Sequence, residues 1–114
     1  MHRGDIYLVD LNPTKGAEIF KARPCIIVST DDIGILPLKV VIPLIGYKPS
    51  HENKSWLVPI EPNNQNGLSK PSTADALNIR SVSDQRFLKR LGHIDQTLQQ
   101  KLVSAMDTIL EITS

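Results

Sequence analysis

Four short apolar runs fall within the first sixty positions, at 6–11, 24–30, 38–45 and 56–60, each rich in Ile or Val and bounded by Gly, Pro, Asn or Asp. Runs of this length and composition are strands, not helices. A fifth strand is expected over 74–82, where Asp75, Leu77 and Ile79 would share one face and Ala76, Asn78 and Arg80 the other; a sixth is expected over 87–94. Pro43 and Pro59 each remove a ladder donor, so their strands should lie at an edge or be bulged there. The period then changes. Leu98, Leu102, Ala105, Met106, Ile109 and Leu110 recur at spacings of three and four, which predicts one amphipathic helix with Asp95 or Thr97 at its start. The expected fold is mainly β with a C-terminal helix: a small, strongly bent antiparallel sheet or partly open barrel of about five to seven strands.

The 114 residues are expected to form a single domain spanning 1–114, with 40% hydrophobic residues supplying a core that needs no disulfide. Only Cys25 is present, inside an apolar run where a small buried thiol is the ordinary reading. Thirteen Lys and Arg against twelve Asp and Glu leave a net charge of +1, so any anion binding must be local. No apolar run is long enough to span a bilayer, and Asp5, Asp10 and Glu18 interrupt the N-terminal region where a signal peptide would be apolar. A cytoplasmic protein is expected, without membrane contact. His2, His51 and His93 are scattered without a ligand spacing, and Lys15-Gly16 lacks the preceding glycines of a phosphate loop. No metal or cofactor is expected.

The connection between the first two runs is much longer than a hairpin requires. It carries Lys15, Gly16, Glu18 and Lys21 and ends on Arg23-Pro24. Lys15 and Lys21 are point charges, Gly16 lets backbone amides approach a ligand, and Arg23 offers a planar fork suited to phosphate. Pro24 fixes the entry to a buried strand, so Arg23 springs from rigid scaffold. The competing reading pairs Arg23 with Glu18 or another acid as a solvated ion pair. Two further loops, 46–55 with Tyr47, Lys48, His51 and Lys54, and the polar 61–72, are read as binding loops or plain connectors.

RGDIYLVDLNPTKGAE followed by Arg23-Pro24 resembles the N-terminal signature of the MazF/PemK family of toxin ribonucleases. The resemblance extends through Val41-Ile42-Pro43, through Ile79-Arg80-Ser81-Val82, and through the closing strand and helix at 91–112. It implies an SH3-like (CcdB/PemK-type) barrel, a homodimer, and a metal-independent endoribonuclease that cuts single-stranded RNA at a short sequence. In that chemistry the 2'-hydroxyl attacks the adjacent phosphate, leaving a 2',3'-cyclic phosphate and a 5'-hydroxyl end. Arg23 matches the family's catalytic arginine and Glu18 its loop glutamate. The expected RNA contacts are Thr14, Lys15, Gly16, Lys21, Lys48, Lys54 and Arg80, with Trp56 or Tyr47 as a stacking surface unless Trp56 packs in the core. A cognate antitoxin with an acidic tail is the implied protein partner.

Two positions depart from the family pattern. Ile45 and Gly46 stand where many relatives carry a Thr or Ser that assists the arginine. Leu77 stands where relatives often carry an acid, and Asp75, on the same expected strand face about 7 Å away, is the expected substitute in the catalytic group. The missing hydroxyl also leaves a second reading: a weakly catalytic or non-catalytic member that binds antitoxin or RNA, or poisons a topoisomerase.

Overall fold

The computed structural model describes residues 1–33 and 35–112. Among these residues, seven strands, β1 (Asp5–Asp10), β2 (Ala22–Ile27), β3 (Leu38–Gly46), β4 (Leu57–Ile60), β5 (Ser72–Asp75), β6 (Arg80–Ser83) and β7 (Phe87–His93), precede one α-helix, α1 (Gln96–Leu110). All pairings are antiparallel, in the order β4-β5-β3-β2-β1-β7, with β6 alongside the first half of β3. The sheet bends but does not close into a barrel: β4 and β7 end the path, β4 against α1 and β7 against the 61–72 segment. No helix of the described residues is long and apolar enough to cross a membrane.

Both faces of the sheet are buried, which is why its strands read as continuous apolar runs. Ile6, Ile26, Ile42 and Leu44 pack with Ile60, Leu102 and Ala105 beneath the helix. Val9, Leu11, Cys25, Ile27, Val41 and Val82 form a second cluster on the opposite face. Each fully buried Leu or Ile contributes about 2 kcal/mol. Asp95 caps α1 by accepting a hydrogen bond from the Leu98 amide at 2.9 Å. Trp56 packs against the first cluster, as the core reading of this residue holds.

The two prolines sit where a lost donor is tolerated. Pro59 is on the edge strand β4, and Pro43, opposite Cys25, falls where the other side of β3 changes partner from β6 to β5.

The expected single strand over 74–82 is broken. Ala74 lies opposite Leu44 and Arg80 opposite Val41, so six steps of chain run beside three, and the surplus residues form a 3-10 turn, Ala76–Asn78. Asp75 caps that turn through the Leu77 amide, and Leu77 is exposed. Asp75, Leu77 and Ile79 therefore do not share a strand face.

The 61–72 segment is a strap. Asn66 is fully buried; its Oδ1 accepts from the Asn63 and Leu68 amides and its Nδ2 donates to the Glu61 carbonyl. The His93 amide donates to the Gln65 carbonyl at 3.0 Å, fixing the strap along β7.

Candidate active site

The loop from Leu11 to Lys21 is built as a closed, braced unit. Its base is shut by the Leu11 amide on the Lys21 carbonyl (3.0 Å) and by the Lys21 amide on Asn12 Oδ1 (3.2 Å). Two arginines from later in the chain brace the same base. Arg80 Nη1 donates to the Leu11 carbonyl at 3.1 Å; Arg86 Nη1 donates to the carbonyls of Asp10 (3.1 Å) and Asn12. Arg80 is thus partly committed to holding the loop.

Within the loop, Glu18 folds back onto Lys15. The Lys15 amide donates to Glu18 Oε1, and the Glu18 amide donates to the Lys15 carbonyl at 3.1 Å. Gly16 makes this tight return possible at φ +56°, with open space around its Cα. Thr14 is half-buried, whereas Lys15, Gly16 and Lys21 are exposed. The Lys21 ammonium sits 5.1 Å from the centroid of the exposed Phe20 ring.

Arg23 opens β2 opposite Val9, and its Nε donates to the Phe20 carbonyl at 3.3 Å. No carboxylate of the described residues lies within ion-pairing distance of it, and Glu18 turns one oxygen, Oε1, to the Lys15 amide. The solvated ion-pair reading of Arg23 therefore finds no partner. Two residues further on, Cys25 lies beneath, its Sγ 3.5 Å from the Arg23 carbonyl. Burial pushes its thiol up to about 12, only partly offset by the charge of Arg80.

A small cavity of about 130 Å³ opens beside the loop, lined by Glu18, Ile19, Pro43, Asn78 and Arg80. Asp75 does not line it; both its oxygens are taken, one by the Leu77 amide and the other by Asn78 Nδ2 at 2.9 Å. Ile45 faces Thr73 across the β3–β5 ladder. Thr73 does not supply the missing hydroxyl, because it is fully buried with its Oγ1 2.7 Å from His51 Nδ1.

Lys48 and Lys54 flank a 3-10 turn, Pro49–Asn53, on the β3–β4 connection. The Lys48 amide donates to His51 Nδ1 at 3.2 Å, which leaves the side chain at the surface. Lys54 stands 6.0 Å from the Trp56 ring and lines a groove of about 550 Å³ between β4 and α1, shared with Glu52, Glu61 and Lys101. Tyr47 is tied through its hydroxyl to Glu52 at 3.0 Å. Sequence reasoning missed Phe20 and Asn78. An exposed aromatic between Glu18 and Lys21 was a visible signal for the first; the partner of Asn78, the Ile19 amide, lies 59 positions away and gave none.

Residues 2–110 match the model of the PemK-like, MazF-like toxins of type II toxin-antitoxin systems. The endoribonuclease MazF9 of Mycobacterium tuberculosis (strain ATCC 25618 / H37Rv) is 28% identical over 100% of this chain and 99% of its own. Endoribonuclease EndoA of Bacillus subtilis (strain 168) is 24% identical, over 96% of this chain and 94% of its own. Among solved structures, MazF from Deinococcus radiodurans superposes with a TM-score of 0.80 at 18% identity, covering 98% of this chain and 97% of that one. A mycobacterial endoribonuclease solved with its cognate antitoxin gives 0.78 at 21% identity, covering 100% and 98%. With the family model spanning nearly its whole length, the chain belongs to the PemK-like, MazF-like toxins of type II toxin-antitoxin systems.

Proposed function

We propose that this protein is a sequence-selective endoribonuclease, the toxin of a toxin-antitoxin pair, that cleaves single-stranded RNA without a metal ion. The observation that carries this reading is Arg23, whose Nε is anchored on the Phe20 carbonyl while no carboxylate of the described residues competes for its Nη groups. A guanidinium so held is placed to stabilise charge that develops on a phosphoryl oxygen. The 2'-hydroxyl oxygen attacks phosphorus, its proton passes to the Glu18 carboxylate, and the bond to the 5'-oxygen breaks. That oxygen takes a proton from solvent, which leaves a 2',3'-cyclic phosphate and a 5'-hydroxyl end. A guanidinium donates at every nitrogen and has no acceptor, so Arg23 acts as the clamp and not the base.

Thr14, Lys15, Gly16, Lys21, Lys48, Lys54 and Arg80 provide the contacts to the RNA backbone, and the exposed Phe20 adds a face on which an unpaired base stacks. Solved relatives include a mycobacterial endoribonuclease with its cognate antitoxin and MazE-MazF from Deinococcus radiodurans. By that likeness this chain is held inactive in the cytoplasm by a partner whose acidic segment covers the loop cations, and works as a homodimer. The Ile45 side chain offers no hydroxyl to the arginine, which lowers the rate by about tenfold to a thousandfold relative to a member that has one.

The test is RNA incubated with the purified protein in EDTA, with every new end mapped on a long mixed-sequence transcript. Discrete cuts with 5'-hydroxyl ends are expected, and none from Arg23→Ala. The same absence of hydroxyl supports one other reading, a non-catalytic binding module. Growth inhibition unchanged in Arg23→Ala, with no cuts at high protein concentration on several RNAs, would establish that reading instead.

A further inference from the structure

We propose that Asp75 and Asn78 are positioning residues that latch the Leu11–Lys21 loop, and through it Arg23, to the turn between β5 and β6. This deepens the ribonuclease reading above and rests on it. Asn78 donates from Nδ2 to Asp75 Oδ2 at 2.9 Å and accepts at Oδ1 from the Ile19 amide at 3.0 Å. The other Asp75 oxygen accepts from the Leu77 amide at 3.0 Å. The next residue after Ile19 is Phe20, whose carbonyl holds Arg23 Nε. Two sets of polar contacts, joined by the covalent backbone from Ile19 to Phe20, therefore link the β5 end, through one side-chain amide, to the guanidinium.

The string has a fixed polarity. Asn78 meets an N–H on one side and an acceptor-only carboxylate on the other, so only one orientation of its amide satisfies both. Asp75→Asn keeps the Leu77 contact but presents an amide nitrogen to Asn78. If Asn78 then turns over, it sets its own nitrogen against the Ile19 N–H; one bond is lost either way. Asn78→Asp sets two carboxylates against each other. The exchanged pair, Asp75→Asn with Asn78→Asp, restores every contact. The amide now at position 75 accepts from Leu77 and donates to the carboxylate now at position 78, whose second oxygen accepts from Ile19. A catalytic acid at position 75 would behave otherwise, because the exchange removes its charge.

The experiment compares wild type, both single variants and the exchanged pair. Each single variant is expected to lose about tenfold to a hundredfold in kcat with KM little changed, as for a reacting group displaced by a fraction of an ångström to an ångström. The exchanged pair is expected to cut near the wild-type rate. Amide hydrogen exchange gives a second readout that needs no RNA. Ile19 is expected to exchange slowly in wild type and the exchanged pair and fast in the single variants, while Ile26 and Ile42 stay protected in all four. Singles with wild-type kcat, an exchanged pair as slow as the singles, or uniform Ile19 protection would each overturn the latch. Should a single variant fail to fold, the exchanged pair must still fold and cut at the wild-type rate. If wild type cuts no RNA the ribonuclease reading falls by itself, and Ile19 exchange still decides whether the latch exists.

Discussion

Beneath Arg23, the one thiol of the chain is sealed off by the same packing that fixes the arginine. Cys25 is fully buried, its thiol donates a hydrogen bond to the Arg23 carbonyl, and burial pushes it up to about 12, against which the charge of Arg80 acts only weakly. At pH 8 the thiolate fraction is then about one in ten thousand, and the thiolate is the reactive form. Native protein should therefore keep its RNA-cutting activity through exposure to iodoacetamide or an aromatic disulfide. The thiol should label fully only in denaturant, where it returns to its ordinary value near 9.0. Rapid labelling of the native protein, with loss of cutting, would show that the strand under Arg23 opens readily. Arg23 has the reverse character: half-buried, anchored at Nε and with no carboxylate of the described residues within ion-pairing distance.

At the scale of elements, β7 and the 61–72 strap are held so close that no side chain fits between them. A Cβ on Gly92 would lie 2.2 Å from the Gln65 carbonyl oxygen and 2.6 Å from the Asn66 carbonyl carbon. Both obstacles are backbone, so they cannot swing aside. Gly92→Ala should destabilise the protein by about 3 kcal/mol, the upper range for overpacking, and shift the urea midpoint with the slope unchanged. An unchanged midpoint would mean that the strap detaches at little cost. Neither the strap nor the 3-10 break was legible in the sequence. A polar stretch such as EPNNQNGLSKPS reads as solvated until Asn66 is seen buried with its amide spent on backbone, and the turn at Ala76–Asn78 follows from the register on β3, a non-local quantity. The strands themselves were legible because burial on both faces leaves continuous Ile and Val runs. The candidate site was half legible: the order of Lys15, Gly16, Glu18 and Arg23 is local, whereas the brace from Arg80 and the latch at Asn78 arrive from 69 and 59 positions away.

For the molecule as a whole, a net charge of +1 means that, under the proposed function, attraction for RNA comes from a few placed cations and not from a general field. This has a measurable consequence in salt. Single-stranded RNA releases about 0.7 counterion for each phosphate neutralised, so the six cations proposed as contacts, Lys15, Lys21, Arg23, Lys48, Lys54 and Arg80, give a slope of log affinity against log salt of about −4. Contacts from all thirteen Lys and Arg would give a slope about twice as steep. Binding should be followed on a single-stranded RNA with methylated 2'-hydroxyls, which lacks the attacking group and stays intact throughout the titration. Lys15→Ala combined with Lys21→Ala removes two of these six charges and should flatten the slope by about 1.4. Both side chains are exposed, and their loop is closed by backbone contacts and by Asn12, Arg80 and Arg86, so the pair should cost little stability. An unaltered slope in that variant would mean that the phosphates pass elsewhere, and the place of Arg23 in the site would have to be reconsidered with them. Under the proposed function a flattened slope with cutting restored at high RNA concentration is the expected result, because there the lysines attract the strand while Arg23 acts on the phosphate that reacts.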